Sequence, residues 1–280
     1  MTVKIITDSA ADLPAGVASN LGIMVVPLNV RFGTDVYRDG IDLTNEQFYQ
    51  RLKQSKVLPT TSVPAPNAFA EAYDKLAQET NEILVITLSS KLSATYEVAL
   101  QSIGLMKGKC RVKVIDSRWA IMAQGLIVIA AAKAANDGAS LDEVIKITQE
   151  TISRVDFRAT FDTLEYLLRG GRIGRAQAFL GSILKMNPII GIRDGEVFPF
   201  ARERSRGKAI DHLYKFATSF SHIDGMAIED ATTPQDAEKL IERLSNKFPR
   251  ERIYRSNVTP VVGTHTGPGL LIVTIMGDKK

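Results

Sequence analysis

Metal-binding and disulfide-forming side chains are scarce in this 280-residue sequence, which contains one cysteine and three histidines. The single thiol, Cys110, excludes an intramolecular disulfide, and the composition is therefore compatible with a reducing compartment. Three histidines scattered along the chain, together with one cysteine, provide no convincing set of zinc ligands. We therefore predict neither a bound metal nor a cofactor.

Long hydrophobic runs are also missing. Residues 1–14, MTVKIITDSAADLP, lack the apolar core of a secretory signal peptide, so we predict a cytoplasmic protein. The most apolar stretch, residues 119–135, contains Gln124 and Lys133 and is shorter than the ~20 residues that a membrane span needs. We interpret this stretch as a helix buried in a soluble protein built around a sheet.

Charge of neither sign dominates, because the net charge is +4 and charged residues make up 24% of the chain. The first 160 residues are neutral, whereas residues 169–208 carry nine basic and three acidic side chains. Such a patch fits an acidic partner, a phosphate or a nucleic acid, but its three phenylalanines do not alternate with the arginines in the manner of a stacking platform. We therefore predict no nucleic-acid binding, and a solvated surface is the alternative interpretation of any single arginine here.

Three motifs for catalysis or nucleotide binding are missing as well. The sequence contains no GxxxxGK[ST] phosphate loop, no GxGxxG after a predicted strand, and no GxSxG nucleophile elbow. Ser93 lies in KLSAT instead. A serine-dependent esterase or hydrolase built from Ser93, His265 and either Asp8 or Asp116 stays open as the alternative to a binding protein.

The most informative stretch that is present covers residues 83–99, ILVITLSSKLSATYEVA. It begins with an apolar run typical of a buried strand and continues into a predicted helix. Several hydroxyls lie between the two: Thr87, Ser89, Ser90, Ser93 and Thr95. Free N–H groups and the helix dipole at such a turn favour an anion, and the hydroxyls suit a carboxylate. The alternative is that these hydroxyls only cap the helix.

Alternation of strands and helices in the first half predicts a parallel sheet. Three predicted strands, at residues 3–6, 83–86 and 112–115, each end in polar residues, so the polar ends should share one edge of the sheet. In the second half, Asp194-Gly195 between two apolar runs predicts a hairpin, and hence a mixed sheet. We predict an α/β protein with a parallel α/β/α domain at 1–158 and a smaller mixed-sheet domain at 159–280.

Four local expectations bear on the site. We predict one strand over residues 23–30 despite Pro27, and an extended loop over residues 59–64, PTTSVP. We predict an apolar helix over residues 176–186, and a loop punctuated by glycines over residues 261–269. His265 lies in that loop, where backbone can approach a ligand closely.

Six motifs, in order and spread over nearly the whole chain, resemble the DegV family of bacterial fatty-acid-binding proteins. They are TDSAADLP at the start, PTTSVP at 59–64, LSSKLSATYE at 88–97, IDS at 115–117, LLRGGRIG at 167–174 and GTHTGPG at 263–269. The chain departs from the family at Ala94, where glycine often follows the serine. That change affects the local backbone and leaves the hydroxyl in place.

The resemblance implies a DegV-like two-domain fold that buries a single long-chain fatty acid. It implies that the carboxylate meets Thr61, Ser93 and His265. We expect further residues at the rim of this site: Asp8, Ser9, Thr60, Ser62, Ser90, Ala94 and Thr264. A free Asp8 carboxylate would repel the ligand, so we expect Asp8 to orient a loop. Phe179 and Ile183 are candidates for the wall around the acyl chain, with an ordinary core helix as the alternative.

The resemblance further implies a lipid carrier without catalysis of its own. Such a protein presents the fatty acid to an ATP-dependent fatty acid kinase with a DAK-like ATP-binding subunit, which forms an acyl phosphate for phospholipid synthesis. Arginines of the family's corresponding segments are implicated in kinase docking, which makes Arg169, Arg172 and Arg202 candidates. We expect a monomer, and peripheral or transient contact with a membrane is compatible with a lipid carrier.

Overall fold

The computed structural model describes residues 2–182 and 186–279. The strands are β1 Lys4–Asp8, β2 Ile23–Val26, β3 Asn29–Phe32, β4 Asp35–Arg38, β5 Thr60–Ser62, β6 Glu82–Thr87, β7 Arg111–Asp116, β8 Val155–Thr160, β9 Asn187–Arg193, β10 Glu196–Glu203, β11 Phe220–Ala231, β12 Ile253–Asn257 and β13 Leu270–Lys279. The α-helices are α1 Val17–Leu21, α2 Asn45–Gln54, α3 Pro66–Leu76, α4 Thr95–Ser102, α5 Ile121–Asn136, α6 Leu141–Arg154, α7 Glu165–Arg169, α8 Arg206–Ala217, α9 Pro234–Leu244 and α10 Pro260–Thr266. Short 3₁₀ segments lie at Ser9–Ala11, Ile103–Leu105, Gly174–Ser182 and Arg250–Arg252.

The first half of the chain forms a parallel sheet with the strand order β2-β1-β6-β7. Thr7 pairs with Ile86, and Thr87 pairs with Asp116, so the carboxyl ends of β1, β6 and β7 are adjacent. The prediction that the three polar strand ends share one edge is therefore confirmed. The apolar side chains of β1 and β6 are almost fully buried, as expected of strands covered on both faces.

The second half forms a mixed sheet with the order β10-β9-β8-β13-β11-β12, in which only β11 and β12 run parallel. The predicted hairpin is present between β9 and β10. Asp194 and Gly195 have φ angles of 55° and 82°, the left-handed backbone that a two-residue turn of this kind requires. The Ser89 hydroxyl donates to the Gly195 carbonyl at 2.8 Å and so joins this hairpin to the edge of the parallel sheet.

Helix α5 lies between the two sheets and packs against β1 and β6 on one side and β8, β11 and β13 on the other. This position explains why the predicted buried helix is apolar around most of its circumference. Gln124 is its buried polar side chain and donates to Thr7 Oγ1 at 2.9 Å and to Asp8 Oδ2 at 3.2 Å. Among the residues that the structure describes, no helix is long and apolar enough to cross a membrane.

The prediction of a single strand over residues 23–30 is wrong. The chain forms β2 and β3 instead, and the two strands belong to different sheets, with Pro27 between them. Proline lacks the N–H that would continue the ladder, so the chain can leave the parallel sheet there. Strand β3 then pairs with β4 and with β5, which means that the expected loop at 59–64 contains a short strand, Thr60–Ser62.

Two further local predictions need correction. The expected loop at 261–269 overlaps α10, which begins at Pro260 and ends at Thr266, and Gly267 follows it with a φ of 69°. Pro260 suits the first turn of a helix because it needs no N–H partner there. The expected helix at 176–186 overlaps the 3₁₀ segment Gly174–Ser182, and residues 183–185 lie outside the described residues.

The contact between α5 and the turn after β1 depends on Gly125. A Cβ atom at this position would lie 2.6 Å from the Ala11 carbonyl oxygen, which is backbone and cannot yield cheaply. We predict that Gly125→Ala destabilises the fold by about 1–3 kcal/mol, as overpacking of a buried contact does. Urea-induced unfolding followed by circular dichroism measures the change.

Gly207→Ala in α8 is the matched control, because a Cβ atom there meets nothing within 4 Å. It should be neutral or stabilise by up to about 1 kcal/mol through helix propensity. Equal unfolding midpoints for the two variants would contradict the packing argument.

Candidate functional site

A cavity lies between the carboxyl edge of the parallel sheet and the inner face of the mixed sheet. It contains about 830 Å³ of space without protein atoms, counting the part that opens to solvent at its mouth. Its walls are mostly apolar and include Leu28, Leu88, Leu92, Phe157, Phe161 and Ile190. Five polar side chains reach its surface: Thr61, Ser93, Arg172, His265 and Thr266. The site is therefore a largely apolar chamber with a small polar cluster.

Strand and helix geometry place Thr61 and His265 together. Thr60 and Ser62 are exposed, and strand alternation points the side chain between them, Thr61, to the opposite face. Thr61 Oγ1 lies 2.8 Å from Nε2 of His265, which α10 contributes. This hydrogen bond brings together residues that are 204 positions apart in the chain.

The second ring nitrogen of His265, Nδ1, is buried and has no hydrogen-bond partner among the described residues. It faces the backbone of Gly170, where a Cβ atom would lie 2.3 Å from it. If Nε2 carries the proton, it donates to Thr61 Oγ1 and leaves the Thr61 hydroxyl hydrogen for another acceptor. The opposite tautomer would bury an N–H group without an acceptor, which is costly. The environment therefore favours the proton on Nε2.

Burial, which is the larger cause, and the nearby charge of Arg172 together lower the pKa of His265 to about 4. The imidazole is consequently neutral at physiological pH in the unliganded site. It acts there as a hydrogen-bonding group and carries no charge.

Ser93 reaches the cavity from the turn between β6 and α4. Its Oγ lies 2.9 Å from Oγ1 of Thr95 and accepts a hydrogen bond from the Thr95 N–H at 3.3 Å. The start of the same turn is held by Asp8, whose carboxylate accepts the Leu88 N–H at 2.8 Å. Ser93 therefore binds the first residue of α4 and also lines the cavity, while the N-cap residue itself, Ala94, makes no side-chain capping hydrogen bond.

The seven candidate rim residues do not appear among the cavity-lining residues of the described chain. Thr60, Ser62 and Ala94 are exposed. Two others bind backbone: Ser9 Oγ accepts the Leu28 N–H, and Thr264 donates to the Pro260 carbonyl. Ser90 donates to the Asp116 carboxylate at 2.6 Å. Asp8 holds the 88–93 turn, and its burial raises its pKa to about 7 against the opposing effect of the Leu88 hydrogen bond.

The three candidate arginines differ in position. Arg172 lines the cavity, and its guanidinium donates to the carbonyls of Leu92 at 3.1 Å and Gly170 at 2.8 Å. No carboxylate pairs with it in the described ranges. Arg169 lies on the surface and pairs with Glu165 at 2.6 Å, whereas the Arg202 guanidinium stacks over the Phe179 ring at 4.6 Å.

Of the two candidate residues for the tail wall, the structure describes Phe179 and leaves Ile183 undescribed. Phe179 is half-buried beneath Arg202 and does not line the cavity, while Ile183 lies outside the described residues. The wall includes Phe157, Ala159 and Phe161, which strand β8 and the residue after it present on one face. Sequence reasoning missed these residues, although their period-two spacing is a recognisable signal.

The hydrolase alternative requires a triad that the described residues do not assemble. His265 Nε2 bonds to Thr61, and no hydrogen bond joins it to Ser93. The two candidate acids are engaged elsewhere, Asp8 with Leu88 and Asp116 with Ser90. A serine nucleophile needs its base within hydrogen-bond reach and the base oriented by an acid.

Comparison with known proteins gives consistent matches along the whole chain. The sequence model described as "Uncharacterised protein, DegV family" matches residues 2–277. Protein DegV of Bacillus subtilis is 34% identical over 276 residues, which cover 97% of this chain and 98% of that protein. A DegV domain-containing protein of Caldanaerobacter subterraneus is 34% identical, with 95% of each chain covered.

Solved structures also match this chain over almost its whole length. A DegV family protein from Thermus thermophilus, described by its fatty acid binding, has a TM-score of 0.91 at 30% identity, covering 99% of this chain and 100% of that one. The structure of B. subtilis DegV, described as a fatty acid binding protein, has a TM-score of 0.88 at 32% identity, with 99% of each chain covered. The predicted α/β architecture is thus confirmed.

The electrostatics of the polar cluster can be tested on His265 directly. In unliganded protein, we predict that its ring C–H resonances titrate near pH 4 instead of near ~6.5. Arg172→Gln should raise this pKa only in part, because burial is the larger cause. Proton NMR, with the resonance assigned by its loss in His265→Gln, measures both values.

Arg169→Gln is the matched control, since Arg169 is paired with Glu165 on the surface. It should leave the His265 titration unchanged. A titration of His265 above pH 6 in unliganded protein would contradict the neutral, buried imidazole.

Proposed function

This chain belongs to the DegV family, and from that premise we propose that it binds one long-chain fatty acid in the cavity between its two sheets. Relatives of known structure, at 30% and 32% identity, are described as fatty acid binding proteins. The single observation that carries the proposal is an apolar cavity whose polar groups cluster around Thr61, Ser93 and His265. We assign residues 1–158 and 159–280 to two domains that enclose the lipid together.

The apolar walls supply the affinity in this proposal. Burial of each methylene contributes about 0.8 kcal/mol, so a long acyl chain binds without many polar contacts. The residues that line the cavity from β8 and β9 would contact the chain, whereas Phe179 is not among the lining residues.

The polar cluster supplies the orientation. A carboxylate in an apolar site must receive hydrogen bonds or it takes up a proton. The Thr61 hydroxyl is free to donate when His265 Nε2 donates to its oxygen, and the Ser93 hydroxyl is the second donor. Arg172 adds a positive charge without a carboxylate partner among the described residues, which favours an anionic ligand.

We further propose that the protein is a carrier without catalysis of its own. It would present the carboxylate at the mouth of the cavity to an ATP-dependent fatty acid kinase, which forms the acyl phosphate in the cytoplasm. Arg169, Arg172 and Arg202 remain the proposed docking residues, and Arg172 would then serve both the ligand and the partner. A monomer suffices for this role, because one chain encloses the whole cavity.

The head-group assignment predicts graded losses of affinity. Thr61→Ala and Ser93→Ala should each weaken palmitate binding by about 1.5–3 kcal/mol, roughly 10- to 150-fold, because a hydrogen bond to a charged group is lost. His265→Ala should also weaken binding, because the Thr61 hydroxyl loses the donor that leaves its own hydrogen free for the carboxylate. Tryptophan fluorescence or calorimetry measures the affinities.

The purified parent protein should also carry a fatty acid, which mass spectrometry under denaturing conditions would recover.

Ser90→Ala is the control for this series, since its hydroxyl bonds to Asp116 and does not line the cavity. Its affinity should match that of the parent chain. Parent-like affinity in all three head-group variants, or a parent protein that neither carries nor takes up fatty acid, would refute the proposal.

The docking proposal predicts a loss that is specific to the kinase. Arg202→Glu should slow acyl-phosphate formation with the cognate kinase several-fold at low salt while palmitate binding stays normal, because interface charges mainly set association rates. Arg169→Glu should act in the same direction. A coupled ATP-consumption assay at low and moderate salt measures the effect.

Lys109→Glu, an exposed charge reversal at a position before β7, is the control and should leave the coupled reaction unchanged. If both arginine variants support the parent rate at each salt concentration, docking occurs elsewhere. Arg172 is less suitable for this experiment, since its reversal would also place a negative charge in the cavity.

A further inference from the structure

Four carboxylates are buried where the parallel sheet meets the mixed sheet. Asp12, Asp39, Glu229 and Asp230 are each at most 3% exposed. Arg255 pairs with Asp230, which also accepts hydrogen bonds from Thr233 and Asn257. No ion pair joins Asp12, Asp39 or Glu229 to a cation within the described ranges, although the charge of Arg255 acts on Glu229 and opposes the rise of its pKa.

Asp12 and Glu229 each bind the beginning of a helix on the other side of this junction. Asp12 follows β1, and its Oδ1 accepts from Thr259, the residue before α10, through the hydroxyl at 2.7 Å and the N–H at 3.3 Å. Glu229 lies in β11, and both of its carboxylate oxygens are 3.2 Å from the Met122 N–H at the beginning of α5. The two side chains therefore cap helices reciprocally across the junction.

The two carboxyl groups are also neighbours. Ser256 is paired with Glu229 in the β11–β12 register, and the Ser256 hydroxyl donates to the Asp12 carbonyl. The buried Asp12 Oδ2 has no other hydrogen-bond partner among the described residues, and it is the atom available to share a proton with Glu229. Two adjacent carboxylates without a cation cannot both be ionised cheaply in a buried site, so one of them retains a proton.

From this geometry we infer that Asp12 and Glu229 share one proton, and that this shared proton positions α10, and with it His265, at the head-group site. The inference rests on the proposed function only for the identity of the ligand. Asp39 supports the same helix, because its Oδ1 accepts the Val261 N–H at 3.1 Å. In this scheme the pair are positioning residues, since neither side chain lines the cavity.

The proton linkage has a defined sign. Burial raises the pKa of Glu229 to about 8, and burial together with the charge of Glu229 raises the pKa of Asp12 well above its usual range. At pH values above the ordinary carboxyl pKa and below about 8, the folded protein therefore holds a proton that the same carboxyl group has released in the unfolded chain. The free energy that holds the junction together falls as pH rises through this window and is constant above it.

Other groups face the pair from the elements packed against it. Burial raises the pKa of Asp39 to about 6, and it also raises the pKa of Tyr49, on α2, well above its usual range. Asp230 and Arg255 form the adjacent ion pair. Because all of these groups are retained in variants of the pair, a comparison of pH profiles isolates the shared proton.

Glu229→Gln and Asp12→Asn test the inference, because each amide replaces the shared proton permanently. The Glu229→Gln change is nearly isosteric: the amide oxygen still accepts the Met122 N–H, and the amide nitrogen donates towards Asp12.

In the parent chain, the palmitate dissociation constant should rise about fivefold or more between pH 6 and pH 8.5, within the limit of tenfold per pH unit and proton. In both amide variants, the palmitate dissociation constant should rise by less than about half of the factor found for the parent chain. Glu229→Ala, which removes the cap, should weaken binding at every pH.

Asp74→Asn is the matched control, since its carboxylate accepts the N–H groups of Lys107 and Gly108 in an exposed loop. It should keep the pH profile of the parent chain. Urea unfolding of ligand-free protein provides a second readout, in which the fall in stability between pH 5 and pH 8 should be shallower in the amide variants.

The outcomes separate this inference from the carrier proposal. A parent chain that binds no palmitate at any pH refutes the carrier proposal, and the unfolding profiles still decide whether the proton is shared. If the parent binds palmitate and both amide variants show its pH dependence of affinity, the inference is wrong. Identical unfolding profiles for parent and amide variants would also overturn it.

Discussion

The hydrogen bond between Thr61 and His265 is the contact on which the site depends, because it joins β5, in the small β4-β3-β5 sheet, to α10, which connects two strands of the mixed sheet. Thr61 is held by the pairing of β5 with β3, and His265 by a short helix that begins at Pro260. A helix of this length has little stability of its own, so its position must come from tertiary contacts. Asp12, Asp39 and the close approach of Gly170 supply those contacts. The head-group site is in this sense a product of the junction between the sheets.

The same junction explains why so many polar groups are buried next to an apolar cavity. The carboxyl edge of the parallel sheet exposes strand ends and turns whose N–H groups need acceptors. Asp8 satisfies the turn after β6, while Gln124 crosses from α5 to bind Asp8 and Thr7. These side chains hold backbone so that Ser93 can face the cavity. A polar side chain that could bind a ligand therefore holds neighbouring backbone in place instead when it does not reach the cavity surface.

This distinction marks the boundary of what the sequence could predict. Strand ends that share an edge follow from strand–helix alternation, and the β9–β10 hairpin follows from Asp194-Gly195, because both are determined by neighbours in the chain. The direction in which an individual side chain points is harder to predict from the sequence. Ser90 and Thr264 have the right chemistry, yet they bond to Asp116 and to the Pro260 carbonyl. The helix around His265 was missed because Gly263, a poor helix former, is required there by its packing against Tyr49.

Arg172 illustrates how local sequence and tertiary structure together determine charge at the site. The glycine pair before it allows the chain to turn after α7, with Gly171 at a φ of 68°. The guanidinium then donates to two carbonyl groups and is fixed in place without a carboxylate that would neutralise it. Its field contributes to keeping His265 neutral, so an arriving anion meets one fixed positive charge and hydroxyl donors whose hydrogens can rotate. Because the charge is held by backbone carbonyls, it is present before any anion enters the cavity, and under the proposed function Thr61 and Ser93 would then orient the carboxylate.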